Sequence, residues 1–203
     1  ELVKQTDANA QVTTFQYDKL GRMTQRVEPG LTSTWTWDTS PRGSGYWLGK
    51  LARAETSLGY LRAHNYDAYG RPSSTQTNHS GILFYSAIGY DAAGRVASQT
   101  YPSNFSVKHV YNAIGIPTEL RRNNASNALY WQLQAMDAEG HVTQEANGNG
   151  VVTGRVYDPS TGRLFSQSVK DAANAPLFTG GYGYDALGNL ETRTDSNGAE
   201  SYD

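Results

Sequence analysis

Seven aspartates stand at equivalent points of a recurring pattern: Asp18, Asp38, Asp67, Asp91, Asp137, Asp158 and Asp185. Two carboxylates about 5 to 9.5 Å apart can hydrolyse a glycosidic bond, and neighbouring strands would bring members of such a column to that spacing. A catalytic pair, however, occurs once and in one cleft, whereas this column runs along the whole chain, so its regularity points to turn geometry. The four histidines, His64, His79, His109 and His141, are spread over different periods without the i, i+4 spacing of a helical zinc site. His64 and His109 each sit two residues before a repeat aromatic, in the slot also held by Phe15, Trp35, Ile88 and Tyr182, and are expected to pack in a wall. His141 replaces the usual arginine opposite Asp137 and is expected to hydrogen-bond there. The run from Gly180 to Leu187 matches one copy of a calcium-binding nonapeptide, and Asp195 to Gly198 opens like an EF-hand loop. A single copy cannot complete the first site, and the second lacks its further oxygen ligands, so both are turns. No phosphate-cradling glycine loop or nucleophile elbow is present. We therefore assign no catalytic residue, no metal and no cofactor, and expect no enzyme.

The elements that position these residues must be built without covalent help, since the 203 residues include no Cys. Lys and Arg total 17 against 19 Asp and Glu, a net charge of −2, and the charges are scattered evenly. This excludes the electrostatic footprint of a nucleic-acid or anionic-membrane binder. No apolar run approaches membrane-spanning length. Only 18% of residues are charged while Gly numbers 21 and Tyr 14, a balance that favours turns and β-strands. Glu1 to Thr6 contains neither Met nor a basic or apolar leader, and the chain is expected to be a piece of something longer.

Self-comparison exposes the period. An aromatic–Asp pair followed by Gly and usually a basic residue recurs as Tyr17-Asp18 with Gly21-Arg22, Tyr66-Asp67 with Gly70-Arg71, Tyr90-Asp91 with Gly94-Arg95, Tyr157-Asp158 with Gly162-Arg163, and Tyr184-Asp185 with Gly188. Looser copies are Trp37-Asp38 with Gly49, Tyr111-Asn112 with Gly115, and Met136-Asp137 with Gly140; Tyr202-Asp203 opens one more. Starts lie 18 to 29 residues apart, and the longest gap holds an insertion at 39–48. Within it Arg42, Tyr46 and Trp47 are the candidates for a specific contact, against the alternative of a loop folded back over an edge. Second turn signals, such as Glu28-Pro29-Gly30 and Asn78 to Gly81, fall between the copies. Two turns and two strands per period predict an antiparallel β-hairpin meander of about eight repeats, an all-β fold over residues 1–203.

Asp-x-x-Gly fits a three-residue hairpin loop, a type I turn closed by Gly at positive φ. In that register Asp18 faces Arg22, and Tyr17 faces Met23 on the opposite side of the sheet. The residue two after Gly should then be apolar, and in all eight copies it is: Met23, Leu51, Pro72, Val96, Pro117, Val142, Leu164 and Leu190. Asn112 coincides with Ile116, so both charges of that pair vanish together, while Asp185 opposite Asn189 runs counter to the pattern. The aromatics are expected to stack rung on rung. Beyond them Gln25, Ser98, Thr100, Gln144, Ser166, Ser168, Thr192 and Thr194 would lie on the same face, giving a curved single-layer strip with a polar inner surface. Its two exposed edges would invite self-association.

The copies, above all those beginning at Tyr17, Tyr90 and Tyr184, resemble the tyrosine–aspartate repeats of the Rhs/YD-repeat family from about Thr6 to Asp203. The resemblance implies a β-strip spiralling into a hollow shell, as in bacterial Rhs toxins, insecticidal toxin complexes and teneurins. In bacterial members that shell encloses a toxic effector polypeptide, which would make the rest of the shell and the effector the partners and the location secreted or cell-surface. Only the structural repeat positions carry over. The family's self-cleaving Asp-Pro-rich core is absent, because Asp158-Pro159 runs on into Ser160-Thr161-Gly162-Arg163. The alternative use is a carbohydrate-binding or adhesion module stacking exposed aromatics on sugars.

Overall fold

A computed structural model describes residues 1–39, 47–196 and 198–202. The chain divides into two compact units, Glu1–Ser106 and Val107–Asp203. The first carries β1 (Lys4–Thr6), β2 (Val12–Tyr17), β3 (Met23–Glu28), β4 (Leu31–Trp37), β5 (Leu51–Thr56), β6 (Leu61–Tyr66), β7 (Pro72–His79), β8 (Ile82–Tyr90) and β9 (Val96–Thr100). The second carries β10 (Ser106–Tyr111, its first residue in the other unit), β11 (Pro117–Arg122), β12 (Leu129–Met136), β13 (Val142–Asn147), β14 (Val152–Tyr157), β15 (Leu164–Lys170), β16 (Pro176–Tyr184), β17 (Leu190–Asp195) and β18 (Gly198–Ser201). Among the described residues there is no helix. Within each unit every strand pairs antiparallel with its sequence neighbour and contacts no other strand. The expected all-β meander is therefore what the chain forms.

The hairpins close as their turn chemistry dictates. In seven of the eight copies the Gly amide donates to the carbonyl of the Asp or Asn that opens the turn, and in the copy with the insertion the Gly49 amide donates instead to Asp38 Oδ1. The glycine takes positive φ, from 69° at Gly162 to 94° at Gly188, where a Cβ would clash with the following carbonyl. Tyr17 pairs with Met23, Trp37 with Leu51, Tyr66 with Pro72, Tyr90 with Val96, and so on through Tyr184 with Leu190. The residue two after Gly thus meets the repeat aromatic in seven copies and its substitute Met136 in the eighth. Three second turns lacked a strong enough signal to be anticipated: Thr56–Gly59, Tyr101–Asn104 and Asn124–Asn127. Asn104 and Asn127 hold the left-handed position there, which Asn tolerates better than other residues with a Cβ.

One feature of the strands has no sequence signature. Immediately after the apolar residue every copy skips one position in the ladder, at Thr24, Ala52, Ser73, Ala97, Thr118, Thr143, Phe165 and Glu191. Each skip is a β-bulge, which bends the strand and reverses the facing of everything beyond it. Gln25 consequently pairs with Gln16, Ser98 with Gly89, Gln144 with Ala135 and Thr192 with Gly183. Each of those partners directly precedes a repeat aromatic and points the other way. The polar series Gln25, Ser98, Thr100, Gln144, Ser166, Ser168, Thr192 and Thr194 therefore lies behind the aromatics, not beside them, which corrects the alternation drawn from the sequence. Beside the aromatics stand Phe15 with Arg26, Trp35 with Ala54, His64 with Thr75 and Tyr182 with Arg193.

Single-layer character shows in the burial. Among the described residues only Trp47, Ala52, Val107 and Ala146 are buried apolar residues, and no large side chain is fully enclosed. Stability must come from cross-strand pairs and half-buried contacts. At Gly140 nothing lies near enough to meet an added Cβ, so the site reports backbone conformation alone. Gly140→Ala is expected to lower unfolding free energy by about 1–2 kcal/mol in a urea titration. Gly140→Asn should cost less, because Asn already occupies this conformation at 104, 127 and 174.

Candidate functional site

The aspartate column repeats through both units, and in its standard copies the carboxylate divides its work between its two oxygens. At Asp18, Oδ1 accepts the amides of Leu20 at 2.8 Å and Arg22 at 3.0 Å, while Oδ2 accepts Arg22 Nε at 2.7 Å. Asp67 and Asp91 repeat this with Arg71 and Arg95. Asn112 keeps the first half only, its Oδ1 taking the amides of Ile114 and Ile116. An amide has no second acceptor for a guanidinium, which explains why Asn112 is matched with Ile116. Asp185 is no true exception, since Asn189 Nδ2 donates to its Oδ2 at 2.9 Å in arginine's place. His141 Nδ1 lies 2.8 Å from Asp137 Oδ2, as expected for that substitution. Where the turn gains a residue, Asp158 instead takes both the amide and the hydroxyl of Thr161.

The basic head does more than pair. Arg71 stands 4.0 Å over the ring of Tyr90, Arg22 5.0 Å over Trp37, Lys50 5.6 Å over Tyr66 and Arg163 5.6 Å over Tyr184. His141 stacks on Tyr157 with ring centroids 4.4 Å apart. In each case the basic residue of one copy covers the aromatic of the next. Within each unit the basic side chains and the aromatics thus alternate along a ridge, not as two sets on opposite sides of the sheet or as a pure aromatic stack. Arg22 also grips Asp38 with two bonds, so a single guanidinium ties two consecutive turns together. The polar tip of each ring reaches back. Tyr66 donates to the carbonyl of Leu51, Tyr90 to Pro72, Tyr184 to Leu164 and Trp37 Nε1 to Met23, at 2.9 to 3.1 Å. Met136 breaks the aromatic series, and it follows the copy whose basic residue is Ile116. Loss of the cation and loss of the ring it would cover go together.

The electrostatics fit a scaffold. The backbone amides of Arg22 and Arg95 hold Asp18 and Asp91 below the ordinary carboxylate range. Asp38 is lowered first by the Arg22 side chain and Asp185 by Asn189. At Asp67 and Asp137 partial burial pushes up, but bonds from Arg71 and His141 outweigh it. Carboxylates held ionised in this way are poor proton donors near neutral pH, the reverse of what general acid catalysis requires. His64 is lowered by burial and then by Arg62. Among the described residues no group of three His, Asp or Glu side chains is arranged to hold a metal ion. Asp185 spends its oxygens within its own turn, and Asp195 pairs with Arg193.

Of the insertion's candidates, Arg42 and Tyr46 lie outside the described residues. Trp47 is buried, 4% exposed, and meets Tyr66 edge-on with centroids 5.2 Å apart. Open grooves lie beside Gln5, Phe15, Arg26 and Glu28, of about 470 Å³, and beside Leu177, Phe178, Thr194 and Asp195, of about 510 Å³.

The RHS Repeat family model matches residues 1–33. No curated protein matches the chain. Among solved structures it is similar to a variant Photorhabdus luminescens Tc holotoxin pore, with 17% identity, a TM-score of 0.64 and coverage of 96% of this chain. It is also similar to TcdB2-TccC3-Cdc42 (15% identity, TM-score 0.65, 95% of this chain) and to TcdB2-TccC3 without its hypervariable C-terminal region (16%, 0.64, 96%). This chain spans 12% of the length of each of those chains. At such identities the likeness is one of fold. Together with the repeat match it bears out the Rhs/YD-repeat resemblance.

Two outcomes test the ridge. Because the folded carboxyls hold protons less tightly than the unfolded ones, the unfolded state takes up protons first on acidification. Their stabilisation is whole above about pH 4 and is lost as pH falls through the lowered folded values. His64 acts in the same direction, with its contribution whole above about pH 6.5. The melting temperature is therefore expected to fall continuously on acidification, most steeply below pH 4. Separately, a double-mutant cycle of Arg71→Met and Tyr90→Leu should return a coupling of about 0.5–1 kcal/mol.

Proposed function

We propose that this chain is a non-catalytic section of a YD-repeat shell that encloses a toxic effector polypeptide within a larger secreted bacterial toxin. The carrying observation is that the repeated polar groups of the turns are spent on the wall itself. The aspartate oxygens close turns or hold the side chain opposite, and the covered rings donate back to the neighbouring copy. What is left is a sheet one layer thick with almost nothing buried behind it, suited to enclosing and unsuited to holding a reaction centre. The similar solved chains, described as parts of Tc toxin assemblies, are about eight times longer, which supports a parent with many more copies and makes its remaining repeats the first partner.

The carbohydrate-binding alternative needs free aromatic faces. Cations or an imidazole already cover the rings of Trp37, Tyr66, Tyr90, Tyr157 and Tyr184, so the repeat aromatics offer sugars little.

In the intact parent the effector should resist a protease that digests it freely once these repeats are deleted. An effector cut equally fast in the intact parent and in the deletion would overturn enclosure. Saturable binding on a glycan panel would restore the alternative.

A further inference from the structure

The β7–β8 hairpin overhangs its neighbour. Ser80 and Gly81 form its two-residue turn with φ of 51° and 79°, the mirror-image type that matches strand twist. His79 then pairs with Ile82, Asn78 with Leu83, Thr77 with Phe84, Gln76 with Tyr85 and Thr75 with Ser86. On the other side β9 reaches β8 only at Ala87, opposite Thr100, because the chain turns away at Tyr101. Antiparallel ladders alternate, and the residue next to a two-residue turn bonds across the hairpin. Leu83 and Tyr85 therefore aim their amides and carbonyls outward, along the row where Ala87 and Gly89 meet β9. Among the described residues no backbone bond reaches Leu83 or Tyr85 from that side.

The side chains along this open edge are apolar and accessible: Ile82, Leu83, Phe84 and Tyr85 are 41% to 60% exposed. From Pro72 to Tyr90 there is no Asp, Glu, Lys or Arg. Proteins ordinarily blunt such an edge with a charge, a proline or a bulge. Two other strands place a leucine in the same slot, seven residues ahead of the repeat aromatic or its substitute, and each is guarded. At Leu129-Tyr130 the amide of Gly148 donates to the Tyr130 carbonyl at 2.9 Å. At Leu177 the strand begins with Pro176 and bulges, Leu177 being skipped between Val169–Phe178 and Lys170–Pro176. Only the edge at Leu83 has neither guard.

From this contrast we infer that residues 82–86 of β8 are a docking edge for an extended, uncharged, apolar strand of a polypeptide other than a second copy of this chain. Leu83 and Tyr85 supply two amide–carbonyl pairs in one register, which only an extended backbone can match. Ile82 and Phe84 on one face and Leu83 and Tyr85 on the other supply the apolar flanks. With no charge in either hairpin strand, an uncharged partner avoids the desolvation that a charged one would suffer. The inference does not depend on enclosure, since it needs only the open edge.

The probe is a fluorescein-labelled peptide of four Thr-Val repeats, titrated against the whole 203-residue chain, with a Lys-Val peptide as control. Saturable binding of the uncharged peptide is expected, at least tenfold tighter than the control. Hydrogen exchange at Leu83 and Tyr85 should be fast in the free chain and slowed at least tenfold by peptide. Leu83→Lys and Tyr85→Pro should each weaken binding at least tenfold; Leu83→Lys leaves the pairing with β7 intact and should retain the parent melting temperature. Three outcomes would overturn the assignment. They are binding unchanged in both variants, exchange at these amides already slow in the free chain, and concentration-dependent dimerisation that itself slows them, which would make a second copy the occupant.

Discussion

A carboxylate with two jobs underlies this fold. At Asp18 and Asp67 one oxygen takes two backbone amides that the hairpin loop would otherwise leave to water, and the other oxygen orients an arginine. That side chain is then held over the aromatic of the following copy, whose polar tip returns a bond to the copy before it. A local turn preference becomes a contact between repeats, so each rung is secured by its neighbours and not by a core. The substitutions obey the same logic. Asn112 retains the oxygen that closes the turn, relinquishes the one that holds a cation, and is accompanied by Ile116 and then Met136.

The bulge after each apolar residue supplies the second constraint. It lets Tyr17 and Met23 face each other while sending Gln25 to the reverse side, which separates a ridge of rings and cations from a surface of small and polar side chains. On that reverse side Gly89 faces Ser98 and Gly183 faces Thr192 so closely that a Cβ on either glycine would meet the hydroxyl oxygen. A sheet built in this way is ordered on both faces without a partner layer. The same economy occupies the turn carboxylates: ionised and already bonded to amides and guanidinium groups, they have little left to offer a substrate.

Much of this was legible from residue types because turn chemistry is local. Asp-x-x-Gly implied its own hydrogen bonds and the positive φ of Gly21 or Gly94, and the apolar residue two places later followed from register alone. His141 as the arginine substitute followed from its place opposite Asp137. Trp47 illustrates the limit, since an aromatic in an insertion is equally suited to reaching outward or to covering Tyr66, and only packing chooses.

By itself, then, the order of residues determined the antiparallel meander, where the Asp-x-x-Gly hairpins turn and which residue opposes which aromatic, all consequences of interactions within a few positions. Tertiary structure alone decided which face each later residue occupies and what covers each ring. Thr24, Ala52, Ser73 and Ala97 share no side-chain feature that announces a skipped ladder position, and one skipped position reverses every side chain beyond it. Likewise, the meeting of Arg71 with Tyr90 depends on how one hairpin lies against the next, a relation between copies that no single copy encodes.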